Sequence, residues 1–225
     1  MRLLPPKPCV NFCLEDEIVM ALDKMEIYDY QPYTHGQSSL IYLGKLGDGQ
    51  VIIKTPRKDK THERKICLNE GRTLEVLNRK GVGPELICYD RGFVVMKYFD
   101  GIYLNGYISS HSPDKIKKVL TLILSQLFVI DSLGIDKRES QRPDKHIIIG
   151  SHGVGIIDFE KARSSLRPRN VSGFIGAIFS NRYQALLRSN NVVISEPRRI
   201  YELSRKYVDS RTKKNFDNLV GSVIF

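Results

Sequence analysis

Residues 142–162, RPDKHIIIGSHGVGIIDFEKA, restrict the possible folds of this chain more than any other stretch. Two short apolar runs, HIII and GVGII, flank a Gly-Ser-His-Gly turn, and the second run empties into Asp158-Phe159-Glu160. Apolar runs of that length around a tight polar turn predict a small β-hairpin. A carboxylate at the end of a strand is what a hard cation such as Mg²⁺ requires as a ligand. A helix cap or a salt-bridged loop aspartate is the plainer use of the same residue.

The rest of the pattern is mixed, and it predicts an α+β chain. LEDEIVMALDKM (14–25) has helical spacing, with acids early and a lysine late, as the helix dipole favours. SLIYLGKL and QVIIKTP read as two strands turned at Gly47-Asp48-Gly49. Residues 62–80 read as a helix with Ile66, Leu74 and Leu77 on its apolar side, stopped by Gly81-Val82-Gly83-Pro84. GPELICYDRGFVVMKYF gives two more strands. A long helix follows over Asp114–Leu133, with Leu120, Leu124, Leu127 and Ile130 near one face and Gly134 at its end. Ile135–Lys145 reads as a polar loop, and FIGAIFSNRYQALL and RIYELSRKYV as helices of the tail. At 225 residues the natural division is one domain of two lobes: an N-terminal helical extension over 1–32, a first lobe over 33–100 and a second over 101–225, with the boundary near Phe99–Gly106.

Charge and cysteines narrow the function classes. The net charge of +10 favours polyanions: nucleotide phosphates, RNA, ribosomes or acidic proteins. Cys9, Cys13, Cys67 and Cys88 form no CxxC pair and no zinc spacing, so they read as scattered reduced thiols of a cytoplasmic protein. No apolar run reaches the length of a membrane span, and the prolines in MRLLPPKPCV interrupt any export signal. In Gly36-Gln37-Ser38-Ser39-Leu40-Ile41 a glycine and small residues at a strand turn let backbone N–H groups approach phosphate oxygens. Lys54, on the next strand, can reach the same phosphates, and Glu70, in the middle of the following helix, can hold that lysine extended. The bland alternatives are an ordinary hairpin start, an exposed strand lysine and a surface glutamate.

The order small-residue loop, strand lysine, helix glutamate, strand passage, long helix, polar loop, hairpin and Asp-Phe resembles the protein-kinase fold. Within it the sequence is similar to the small archaeal predicted Ser/Thr protein kinases, relatives of RIO-type and other minimal atypical kinases. The resemblance covers residues 33–162. VIIK matches the V-A-I-K strand, LNEGRTLEVL the helix with the partner glutamate, VVMKYFDG the gatekeeper and hinge, and IIDFE the D-F-G element. It implies a two-lobed fold: an antiparallel-sheet lobe with one main helix, and a shortened, mostly helical lobe. It also implies ATP with Mg²⁺ or Mn²⁺, γ-phosphoryl transfer to a Ser/Thr hydroxyl of a protein, and a set of site residues. Gly36, Gln37, Ser38, Ser39 and Ile41 would cover the nucleotide, and Lys54 held by Glu70 would take its phosphates. Met96 would be the gatekeeper, with Lys97, Tyr98 and Phe99 offering backbone groups to adenine, and Asp158 would bind metal.

The catalytic loop departs from the family pattern. GIDKRESQRPDKHIII stands where H-R-D-L-x-x-x-N is expected, with His146 in the place of the asparagine, as a metal ligand or a polar loop residue. Lys137-Arg138-Glu139 echoes H-R-D, yet Glu139 precedes His146 by seven positions against five in the motif. Asp136 and Asp144 are the other carboxylates open as the group that orients the hydroxyl. Glu160 replaces the glycine after Asp-Phe, as a second metal ligand or a surface salt bridge. Two other functions stay open: an ATP-binding, pseudokinase-like switch or RNA- or ribosome-associated scaffold, and a small-molecule kinase.

Overall fold

The computed structural model describes residues 14–57, 64–193 and 196–224. Cys9, Cys13 and part of the basic Pro56–Lys65 stretch lie outside the described residues. The chain forms two compact units, one running to Asn78 and resuming over Pro84–Tyr98, the other made of Arg79–Gly83 and everything from Phe99 onward.

The first unit is built on a five-stranded sheet. Its elements are α1 (Asp16–Lys24), β1 (Ile27–His35), β2 (Ser39–Leu46), β3 (Gly49–Pro56), α2 (Arg64–Asn78), β4 (Leu86–Tyr89) and β5 (Val94–Lys97). The order is β1-β2-β3-β5-β4, with every neighbouring pair antiparallel. Alternation along the strands sends Leu40, Tyr42, Val51, Ile53 and Val95 to one face, where they bury Ile18 and Leu22 of α1. Ile41, Ile52, Lys54 and Met96 take the other face by the same two-residue period. The helical reading of residues 1–32 fails beyond Lys24, because β1 begins at Ile27 and pairs with β2 through two register shifts. Pro32 sits in that strand without cost to the sheet, since β1 is an edge strand.

The second unit is mostly helical. It comprises β6 (Ile102–Tyr103), α3 (Leu104–Ser110), α4 (Pro113–Ser132), β7 (Ile135–Asp136), α5 (Pro143–His146), β8 (Ile147–Gly150), β9 (Gly153–Ile156), β10 (Arg163–Ser164), α6 (Asn170–Ile178), α7 (Asn181–Arg188), α8 (Pro197–Asp209) and α9 (Lys213–Ile224). The four leucine and isoleucine positions read on α4 are all buried, and Phe128 of that helix stacks on Phe216 of α9 with ring centroids 4.4 Å apart. The expected hairpin is β8–β9, extended to three strands by β6. Two readings need correction. The polar loop 135–145 contains β7, which pairs with β10, and α5, which ends on His146, so His146 closes a helical turn instead of opening the strand. FIGAIFSNRYQALL is two helices, because Ser180 takes an extended backbone and its hydroxyl accepts the Tyr183 N–H as an N-cap.

Candidate active site

In the first unit, β3 delivers Lys54 on the face opposite α1, and its ammonium meets the Glu70 carboxylate of α2 at 2.8 Å. Both are buried, at 6% and 1% exposure, so neither the exposed-lysine nor the surface-glutamate alternative holds. The next helical residue, Gly71, explains how α2 comes so near. A Cβ there would lie 2.1 Å from Cγ of Tyr89 on β4, so only glycine lets the tyrosine lie flat on the helix. Tyr89 then donates its hydroxyl to Glu75 at 2.9 Å, one turn further on. At the start of β2 the Gly36 N–H donates to the Ser39 carbonyl (2.8 Å) and the Arg57 N–H to that of Ser38 (2.9 Å). This is a tight closed turn: Ser38 and Ser39 are buried in it, while Gly36 and Gln37 are exposed and Ile41 is half-buried. Met96 is buried in β5 opposite Ile52 and Leu86. The amides of Lys97 and Tyr98 already donate to the carbonyls of Glu85 (2.8 Å) and Gln50 (2.9 Å), so two backbone donors expected to face adenine are committed within the sheet.

Phe99, the last residue expected at the hinge, belongs to the second unit, where it explains the glycines of the hairpin. A Cβ on Gly155 would sit 2.9 Å from the Phe99 ring, and one on Gly150 would sit 2.0 Å from the Asp100 carbonyl oxygen. The hairpin therefore does more than reverse the chain: its glycines make a bed for residues 99–100. Gln126 of α4 ties to the same hairpin through the Val154 carbonyl (2.9 Å).

Just past β9 the Ile157 N–H donates to the His146 carbonyl at 2.9 Å, which fixes the register that sets Asp158 beside His146. The imidazole lies between two carboxylates, Nδ1 at 3.5 Å from Asp158 Oδ2 and Nε2 at 3.6 Å from Glu139 Oε2. Both separations exceed those of good hydrogen bonds. One ligand atom from each of the three residues lies within 4.8 Å of the others. An imidazole with two carboxylates fits a divalent cation, and suits Mn²⁺ better than an all-oxygen set would. Asp158 holds φ = +67° and Arg138, next to Glu139, φ = +69°. Such left-handed conformations of non-glycine residues cost about 1–3 kcal/mol each and gather at functional sites.

The other two carboxylates left open by the sequence stand elsewhere in this unit. Asp136 accepts the Arg138 N–H at 2.9 Å, and Asp144 is paired with Arg182 at 3.2 Å. Glu160 is buried, so the surface salt-bridge reading does not hold for it. Lys161 was not singled out in the sequence. Its ammonium meets Glu139 Oε1 at 3.1 Å, and that hydrogen bond holds the lysine pKa above its ordinary value.

Sequence reasoning also missed what holds the loop that carries Glu139. Asn170, fully buried at the start of α6, accepts through its side-chain oxygen from the Lys137 N–H (2.9 Å) and the Ser140 hydroxyl (3.0 Å). Its own N–H and amide group donate to Asp131 Oδ1 at 3.0 and 2.7 Å, and Tyr207 donates to Asp131 Oδ2 at 2.8 Å. Burial pushes the Asp131 carboxyl up against the pull of these donors. Lys137 itself is buried with its ammonium 5.5 Å from the centre of the Phe159 ring, a cation–π contact. One signal was available: Asp131 follows Leu127 and Ile130 on the apolar face of α4, where an acid demands buried donors.

A five-stranded antiparallel sheet with a buried lysine–glutamate pair, and a helical unit whose hairpin runs into Asp-Phe, define a protein-kinase-like fold. The fold is similar to that of the Rio2 kinase from Chaetomium thermophilum, with a TM-score of 0.62 and 16% sequence identity over 91% of this chain and 75% of that one. It is also similar to that kinase in its ADP/Mg²⁺-phosphoaspartate complex, at TM-score 0.60 and 17% identity over 91% of this chain and 73% of that one. By sequence the chain belongs to the family of MJ1211, an uncharacterized protein of Methanocaldococcus jannaschii. The two are 32% identical over 114 residues, half of this chain and 97% of that protein. No protein-family model matches the chain. Among the described residues, no helix is long and apolar enough to cross a membrane.

Proposed function

We infer that this protein is an atypical, minimal kinase that transfers the γ-phosphoryl group of ATP to a Ser/Thr hydroxyl of a protein. The observation that carries the reading is the cluster of Glu139, His146 and Asp158, because it groups one carboxylate of the divergent loop with the Asp-Phe element and leaves Asp136 and Asp144 apart. Lys54, held extended by Glu70, binds the nucleotide phosphates, and the turn at Gly36–Ser39 lies against them. Asp158 and His146 would hold a divalent cation, which would supply charge neutralisation to the phosphates. Glu139 orients the acceptor hydroxyl and takes its proton as the new O–P bond forms and the bond to ADP breaks. Lys161 holds Glu139 through Oε1, while Oε2 lies toward His146. The ADP/Mg²⁺ complex of a fold neighbour supports nucleotide and metal use.

Labelled ATP with Mg²⁺ or Mn²⁺ and a generic protein acceptor tests this reading. Glu139→Gln keeps ATP affinity and loses phosphoryl transfer by about 10²-fold or more, while Lys54→Met loses ATP-dependent transfer altogether. Transfer at the wild-type rate in Glu139→Gln sinks the assignment. ATP binding without transfer in the wild type points instead to a nucleotide-dependent switch.

A further inference from the structure

A concavity in the helical unit has no part in the roles assigned above. It is a surface cavity of about 570 Å³, and four arginines line it: Arg138, Arg163, Arg167 and Arg169. Ser140 and Ser172 add hydroxyls, and Asp136 is the single carboxylate in its wall. Among the described residues no carboxylate lies within salt-bridge distance of any of the four guanidinium groups. Four like charges against one acid are self-repelling until an anion joins them.

The backbone that carries these arginines is held in place. Arg163 pairs with Asp136 across β10 and β7. The Ser165 N–H donates to the Gly134 carbonyl (2.8 Å) and the Arg167 N–H to the Ser165 hydroxyl (3.1 Å). Arg211 holds the Pro168 carbonyl at 3.3 Å. Arg138 is fixed through its N–H to Asp136, and Ser140 through Asn170. The N-terminus of α6 adds nothing, since its first two amides are taken by Asp131.

We propose that this cavity binds a phosphate monoester carried by the acceptor molecule, so that the substrate of the phosphotransferase is itself already phosphorylated. The acceptor role rests on the reading of Glu139 given above. Guanidinium forks match phosphate oxygens two at a time, and a dianion answers an excess of positive charge better than a carboxylate or a phosphodiester does. The volume falls in the range of about 300–1,000 Å³ typical of sites for whole small ligands, so it accommodates more than a bare anion. Single-stranded RNA is read on aromatic stacking platforms, and no aromatic side chain lines this cavity. Arg138 and Ser140 flank Glu139 in the chain, and adjacent Cα atoms are about 3.8 Å apart, so the cavity is walled by the same loop that carries that carboxylate.

Calorimetric titration of the full chain tests the site without ATP. The ligands are inorganic phosphate, glycerol 3-phosphate, glycerol, a phosphoserine peptide, its unphosphorylated form and poly(U). Glycerol 3-phosphate or the phosphopeptide binds saturably and its phosphate-free counterpart does not; the one that binds shows whether a metabolite or a protein carries the group. Arg163→Ala/Arg167→Ala, both exposed, raises that Kd by about tenfold or more without lowering the melting temperature. Equal binding with and without phosphate, no change in the double variant, tightest binding by poly(U), or protein purified with phosphate already on Ser164 or Ser165 each overturns the proposal. Transfer from ATP to a phosphate-free acceptor but to neither bound ligand overturns the acceptor role alone. Transfer to no acceptor overturns the phosphotransferase reading, while phosphate-dependent binding still supports the anion site.

Discussion

Lys54→Met takes the cation from a carboxylate that is 1% exposed. Glu70 lies 2.8 Å from the lysine nitrogen, and its charge was desolvated on folding. Removing one partner of such a pair costs about 3–5 kcal/mol, whereas replacing both by apolar side chains of similar volume is neutral or stabilising. At about 2–4 °C per kcal/mol for a chain of this size, the single variant melts roughly 6–20 °C lower. Glu70→Leu removes the carboxylate 2.8 Å from the lysine and also destabilises, and Lys54→Met/Glu70→Leu recovers most of the loss. Urea melts of the four proteins, followed by circular dichroism, give the coupling energy directly. A single variant that loses less than about 1 kcal/mol, or a double variant that loses the sum of the singles, refutes the reasoning. The same four proteins separate stability from function. The double variant folds about as well as wild type, and on the proposed reading it still transfers no phosphate, because the ammonium is gone.

Gly71→Ala gains about 1 kcal/mol of helix propensity on paper. It nonetheless lowers the melting temperature and the phosphotransfer rate, because the added Cβ lands 2.1 Å from the Tyr89 ring and pushes the Glu70 turn aside; a more stable, fully active Gly71→Ala protein refutes this. Burial pushes the Cys88 thiol up to about 11 from 9.0, so at pH 8 it forms a thiolate about 100-fold less readily than an ordinary cysteine. Disulfide-reagent labelling compared between wild type and Cys88→Ser measures that rate. Between those two pH values the unfolded chain gives up the thiol proton first, so stability falls as pH rises, and a Cys88-dependent gain over that window contradicts the shift.

Much of the fold was legible where periodicity and punctuation agree. Residues 40–44 of β2 and 51–53 of β3 alternate buried and half-buried positions on either side of a polar turn, and α4 repeats its apolar face for five turns before Gly134. β1 was not legible because IYDYQPYTH carries a proline and two bulges, which an edge strand tolerates but which break the two-residue period, so most of it reads as part of the helical extension over 1–32. The break between α6 and α7 rests on one serine hydroxyl inside a pattern that stays apolar across it. In the site, motif order singled out Lys54, Glu70 and Asp158, and the fold pairs Lys54 with Glu70 and sets Asp158 beside His146. Which carboxylate joins His146 was not decidable, since a loop of changed length has no register until it folds. Asn170 and Tyr207 left no trace, because their partners are 33 and 76 positions away.

Those separations also set an order of assembly. Asp131 emerges at the end of α4, yet its amide donors arrive 39 residues later and its phenol donor 76 residues later. A closure of that length waits on the docking of α6 and α8, since loop entropy must be met before the contact repays it. Until then the segment from Lys137 to Ser140 has no Asn170 to lock it. A ribosome-bound chain that has already released its hairpin and its Asp-Phe element still lacks a fixed Glu139. On the proposed reading, phosphotransfer therefore waits until the last helices have folded, and truncation within α8 leaves Lys54, Glu70 and Asp158 in the sequence but the segment 137–140 unset.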